Sequence, residues 1–159
     1  MKWKTSLNVG ANARRVLPKL ADKYFEAGRK AAEKHSPKAL HRFRISTKRF
    51  RYALELFSPV YGVSLKRRLE ALHKIQKALG KISDYQSILE MLGHDKAIAD
   101  KIERAMKRKT KDFRREWKTF DSDGQLKDWK EYLGHARRPP RTRKPPGAVK
   151  ARAVSNRAA

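Results

Sequence analysis

The stretch HRFRISTKRFRYALELF, residues 41–57, packs one histidine and five Lys/Arg among apolar residues. Side chains of these types bind anions, and a guanidinium grips phosphate oxygens through two parallel N–H bonds. Advancing about 100° per residue from Leu40 places Leu40, Phe43, Thr47, Phe50, Leu54 and Phe57 in one apolar sector. Beside that sector run Arg51, Arg44, Glu55, Lys48 and His41, then Tyr52, whereas Arg42 and Arg49 fall near the opposite side. A cation at the edge of a core stripe is partly desolvated, and the low local dielectric strengthens its contact with an anion. Glu55 stands at helical spacing from Arg51 and Lys48 and can orient them. His41, near the helix start, donates from both ring nitrogens when protonated, a state that a bound phosphate favours.

The following apolar segment repeats the arrangement. Gln76, His73, Lys66 and Lys77 lie beside a stripe of Leu65, Leu69, Leu72, Ile75, Leu79 and Ile82, again on one flank. Two basic flanks on consecutive antiparallel helices can converge into one groove. Arg68 projects into the apolar sector, where an unpaired cation is costly. It is therefore either an anion ligand or a helix-end residue reaching water.

Little in the chain suggests catalysis. The acidic residues are scattered, no P-loop glycine pattern occurs, and Ser46 near His41 is an accidental pairing rather than a nucleophile and base. Asp84 is best used as a helix N-cap. The chain has no cysteine, and its five histidines lack metal-ligand spacing, so no disulfide, metal or cofactor is expected. His35, His94 and His135 fall at helix ends or turns and are expected to face solvent.

The elements that must hold these residues read as helices almost throughout, with little period-2 alternation. A first helix covers about 11–34, with Pro18 predicting a kink or a start nearer Leu17. Ser36-Pro37 caps and opens a second that stops at Ser58-Pro59. A third begins near Ser64, with Gly80 predicting an interruption and Ser83 or Asp84 capping a continuation through Leu92. Gly93 closes it, a long helix follows over about 95–120, and Asp123-Gly124 turns into a short helix ending at Gly134. Met91, Met106, Phe113, Trp117 and Trp129 are expected in the core. The fold class is all-α, an antiparallel amphipathic bundle of about four to six helices in one domain over residues 1–135.

Composition points to a polyanionic partner. Against 41 Lys+Arg stand 16 Asp+Glu, a formal net charge of +25 over 159 residues, and such an excess repels itself unless counter-anions bind. From Arg137 the chain reads RRPPRTRKPPGAVKARAVSNRAA, with eight cations, four prolines and no acid. Residues 136–159 are therefore expected to form a disordered basic tail. Without those eight cations a surplus of 17 remains, so the basicity belongs to the helical part as well. No segment reads as a signal peptide or a membrane span, and a cytoplasmic setting is the default expectation.

The two basic segments also carry a resemblance. LHRFRISTKRFRYALELF resembles the His-x-x-Arg-x-x-x-Lys-Arg-x-Arg-Tyr-x-x-Glu-x-Phe signature of CHAD domains, the conserved histidine α-helical domain family. LHKIQKALGKISDYQSILEML is similar to that family's Q-x-x-L-G-x-x-x-D segment, and together the motifs span residues 40–92. The resemblance implies an all-helical module that binds inorganic polyphosphate in a basic groove without catalysis, often at polyphosphate granules. Carried onto this chain, it implicates His41, Arg44, Lys48, Arg49, Arg51 and Tyr52, then His73 and Lys74. Gln76, Gly80 and Asp84 match in structural roles. Typical members hold two such helical units, each with its own histidine motif. This chain has one, resembling the C-terminal unit, so a homodimer is expected to complete the channel.

Two other function classes stay open: a nucleic-acid-binding protein, acting non-specifically through the tail, and an enzyme or accessory of polyphosphate metabolism. Against nucleic acid, the folded part carries no zinc finger or RRM signature. Its basic rows are also expected to alternate with core residues rather than pave one exposed face.

Overall fold

The computed structural model describes residues 3–34, 36–92 and 96–135, and among them every regular element is helical. The expected closing residue Gly93, the histidines His35 and His94, and the expected tail over 136–159 lie outside the described residues.

Helix α1 is Val9–Glu33, and the Asn8 side chain caps it by accepting from the Ala11 N–H at 2.8 Å. Asn12, fully buried, binds the preceding turn: its Nδ2 donates to the carbonyls of Lys4 at 2.9 Å and Leu7 at 3.0 Å. Pro18 lies inside this helix, which therefore does not start nearer Leu17, the second of the two expectations for that residue. The buried residues Ala13, Val16, Leu17, Ala21, Tyr24 and Phe25 bracket the proline, and their packing outweighs one lost backbone hydrogen bond.

Helix α2 is Pro37–Leu56, capped as expected by Ser36, whose Oγ accepts from the Ala39 N–H at 3.2 Å. All six residues of its apolar sector, Leu40, Phe43, Thr47, Phe50, Leu54 and Phe57, are buried. A one-turn helix α3, Ser58–Tyr61, and a 3₁₀ turn, Gly62–Ser64, reverse the chain, with Gly62 in the left-handed region at φ 66°.

Helix α4 is Leu65–Met91 and passes through Gly80 without the expected interruption. Ser83 and Asp84 are accordingly mid-helix residues, not caps. Leu79 and Ile82 on either side of Gly80 are buried, and burying them outweighs the ~1 kcal/mol that glycine costs in a helix. Met91, expected in the core, is 82% exposed, because the apolar stripe of α4 ends at Ile82.

Helix α5, Lys96–Phe120, and helix α6, Gln125–Gly134, follow, joined through Gly124 at φ 83°. The links between α1 and α2 and between α2 and α4 are too short for parallel neighbours, so these pairs run antiparallel. In space α1 packs on α2, α2 on α4 and α4 on α5, and α6 returns to lie against α1.

One hydrophobic cluster joins all six helices. At its centre the Tyr24 ring stacks on Phe50 (4.8 Å between centroids) and Phe43 (5.2 Å) and meets Trp117 edge-on (5.8 Å). Burial, only partly offset by the neighbouring Thr47, pushes the Tyr24 phenol far above its ordinary value. Gly28 of α1 provides a close approach: a Cβ built there would stand 2.1 Å from the Trp117 ring. Rim contacts complete the packing. Arg29 donates to both Asp121 carboxylate oxygens at 2.7 and 2.8 Å, and that pairing raises its pKa. The Tyr61 hydroxyl donates to the Leu133 carbonyl at 2.7 Å, tying α3 to α6.

Candidate anion-binding site

The seam between α2 and α4 gathers the basic flanks of both helices. Arg51 is its anchor, with a side chain only 13% exposed. Its Nη1 donates to Glu55 Oε1 at 2.7 Å and stands 3.5 Å from His73 Nε2, while His73 Nε2 lies 3.9 Å from the same carboxylate oxygen. The i,i+4 geometry of a helix makes the first contact, and the antiparallel neighbour makes the second. Tyr52 adds its ring 4.5 Å beneath the Arg51 guanidinium carbon.

Arg44 lies two turns back along α2 on the same flank, half-buried, with Lys48 between it and Arg51. At a rise of about 1.5 Å per residue the three cations step along the seam at intervals of about 6 and 4.5 Å. The Nε groups of Arg44 and Arg51 are both buried without an acceptor, and the Oε1 of Gln76 on α4 is buried without a donor. An unmatched buried donor costs about 1–3 kcal/mol, so both guanidinium groups are held at the seam without a full set of acceptors. Among the described residues no carboxylate pairs with Arg44, Lys48 or His41, and Glu55 is the only acid in an ion pair on this flank. His41 itself is exposed, at the start of α2.

Not every residue singled out in the sequence reaches this seam. Arg49 is exposed on the outer side of α2, as its helical position foretold despite its match to the motif. Lys66 is exposed near the start of α4, two turns before His73 on the same flank. Arg68 is turned away from α2: its guanidinium carbon sits 3.8 Å from the Tyr132 ring and 5.6 Å from Trp129, both on α6. The sequence left it choosing between anion and water, and the structure provides a third solution, an aromatic cage from a helix more than sixty residues away. Arg68 and Lys74 line a cleft of about 770 Å³ between α4, α5 and α6, together with Arg67, Arg115, Glu70, Glu116 and Asp128. Four cations against three carboxylates make it nearly neutral, so it has no strong electrostatic preference for an anion. Lys77 belongs to a smaller cleft of about 210 Å³ with Lys74, Lys81, Lys109, Asp112 and Glu116. Of the residues singled out in the sequence, Arg44, Lys48, Arg51 and His73 lie along the seam, with His41 and Tyr52 at its margin and Lys66 further along the α4 flank.

The residues that sequence reasoning missed come from α5 and α6. Tyr132 and Trp129, three positions apart on one face of α6, were the available signal for the Arg68 cage, but nothing local assigns that face to α4.

No helix among the described residues is long and apolar enough to cross a membrane. No curated protein and no solved structure matches the chain significantly. The family model of the CHAD domain matches residues 2–93, which takes in α1 through α4 and both sides of the seam, and leaves α5 and α6 outside. With more than half of its length matched by that model, the chain belongs to the CHAD domain family.

Proposed function

We propose that the chain binds inorganic polyphosphate along the α2–α4 seam and does so as a binder, not a catalyst. The observation that carries this reading is the row of Arg44, Lys48 and Arg51 along one flank, in which no carboxylate among the described residues pairs with Arg44 or Lys48. A linear phosphate polymer offers an oxygen acceptor to each cation in turn, and a guanidinium at a core edge loses little freedom on binding it. Membership of the CHAD family, a family related to polyphosphate, supports the same ligand. In a cell the module would then sit on polyphosphate granules.

A second copy of the chain would complete the site. Tyr52 and Leu56, one turn apart on α2, are 52% and 74% exposed, and Val63 in the 3₁₀ turn that follows is 87% exposed. Apolar side chains bordering a half-open basic groove suit a facing protomer. Sedimentation with and without polyphosphate measures this, and a monomer that binds tightly would remove the dimer from the proposal.

The binding test is a competition titration of labelled long-chain polyphosphate against duplex DNA over a salt series. Both interactions weaken with salt, because both ligands are polyanions. Polyphosphate binding is expected to persist at salt levels that abolish DNA binding, and Arg44→Ala with Lys48→Ala is expected to remove it. Indifference of polyphosphate binding to that pair would overturn the assignment. Release of phosphate during incubation would favour the alternative, an enzyme of polyphosphate metabolism.

A further inference from the structure

Helix α5 carries a feature that the seam does not use. Lys101, Arg104, Arg108, Lys111, Arg115 and Lys118 recur every three or four residues, so they share one face, and all six are exposed. The buried residues of the helix, Phe113 and Trp117, fall on the opposite side. At about 1.5 Å per residue the row is about 26 Å long. Among the described residues Arg115 alone of the six forms an ion pair, with Asp112 at 3.3 Å. The expectation that basic rows in this fold only alternate with core residues therefore fails on α5, where they pave a solvent face.

Neighbouring like charges at this spacing destabilise a free helix. Five of the six make no ion pair among the described residues, and the remaining repulsion is relieved by an external polyanion. The shape of the row selects which one. Only its Arg115 end borders the cleft between α4, α5 and α6, and the rest is open to solvent, unlike the two-sided α2–α4 seam. A nucleic-acid duplex is stiff, presents phosphates along two strands at fixed spacing, and has a major groove about 12 Å wide that admits a helix. Exposed Lys107 beside the ridge is placed to meet a flanking strand.

We infer that the outer face of α5 is a second polyanion surface, which binds the phosphate backbone of duplex DNA without sequence readout. It is separate from the seam in position and partner, and it lies beyond the residues matched by the CHAD model. The chain would then hold polyphosphate on one side and DNA on another.

The test uses the full chain and a fluorescein-labelled DNA duplex of about 20 base pairs and mixed sequence, read by anisotropy over a salt series. The variant Arg104→Gln/Arg108→Gln/Lys111→Gln changes only exposed side chains, and circular dichroism checks its helix content. Three lost phosphate contacts should flatten the slope of log K against log salt by roughly 3 and weaken binding at least about tenfold at low salt. Polyphosphate affinity should stay as it was, and Arg104→Lys/Arg108→Lys should keep the parent slope. If the triple variant loses helix content, Arg108→Gln alone serves, with a slope change of about 1. An unchanged DNA slope would overturn the inference, since other cations, including those beyond residue 135, would then carry the DNA. Equal loss of polyphosphate and DNA would overturn it too, making α5 part of one undivided polyanion surface. The seam pair Arg44→Ala/Lys48→Ala, by contrast, should abolish polyphosphate binding and spare DNA, so failures of the two assignments read out separately.

Discussion

Arg51 and His73, twenty-two positions apart, meet across the α2–α4 seam at 3.5 Å and share the carboxylate of Glu55. If the seam binds polyphosphate as proposed, that carboxylate competes with the ligand for Arg51. Glu55→Gln keeps the shape and removes the competitor, so polyphosphate affinity at low salt should rise several-fold. Fold stability should drop by only about 0.3–0.5 kcal/mol, the usual worth of such a helical pair. Polyphosphate titration and urea unfolding measure the two effects. Weaker binding in the variant would show instead that Glu55 acts by holding Arg51 in place.

Arg68 provides a contrast to the seam. With its guanidinium over Tyr132 and Trp129, Arg68→Ala should leave polyphosphate affinity unchanged. It should cost about 0.5–2 kcal/mol of stability through the lost cation–π contact and packing. A loss of affinity comparable with that of Arg44→Ala would put Arg68 among the ligand residues after all.

Gly28→Ala tests the centre of the core. The added methyl would meet the Trp117 indole, which is itself wedged among Tyr24, Phe25, Phe43 and Phe120 and cannot withdraw. Overpacking costs about 1–3 kcal/mol or more, against a gain of ~1 kcal/mol in helix propensity. The net expectation is a lower urea midpoint, partly recovered when Trp117 is also replaced by a smaller side chain. An equal or higher midpoint would mean that α5 shifts freely against α1.

Tyr61 makes stability depend on alkaline pH. Burial pushes its phenol from an ordinary value of 10.0 up to about 12, and the protonated hydroxyl donates to the Leu133 carbonyl. A folded-state pKa above the unfolded one means that this contribution is complete below about pH 10 and is lost as pH rises towards 12. Tyr61→Phe should therefore lower Tm near neutrality by the worth of about one hydrogen bond, ~1 kcal/mol. The gap between variant and parent should narrow above pH 10. Thermal melts of both proteins across that range would show it, and a constant gap would contradict the assignment.

Much of this molecule was legible in one dimension. The period of the apolar residues determined the helices and their inward faces, because a helix that must bury a stripe repeats it every three or four positions. Ser36-Pro37 placed the start of α2, and the flank positions of Arg44, Lys48 and Arg51 followed from geometry within a single helix. The local signal that misled was Gly80, and at Pro18 the alternative of a later helix start failed. Both residues lie in helices held by buried neighbours whose contacts are worth more than the local penalty.

Tertiary structure decided everything that depends on which helix lies beside which. His73 joins Arg51 because α2 and α4 pack antiparallel, whereas Arg68 leaves them because α6 returns with two aromatic rings. The clear face of α5 likewise follows from which of its sides the core takes, with Phe113 and Trp117 turned inward and the cations left outside. A sequence specifies the faces of each helix through spacing alone. The partner of each face is set by packing between distant segments, and on that packing depends whether a cation meets a carboxylate, a ring or an empty seam.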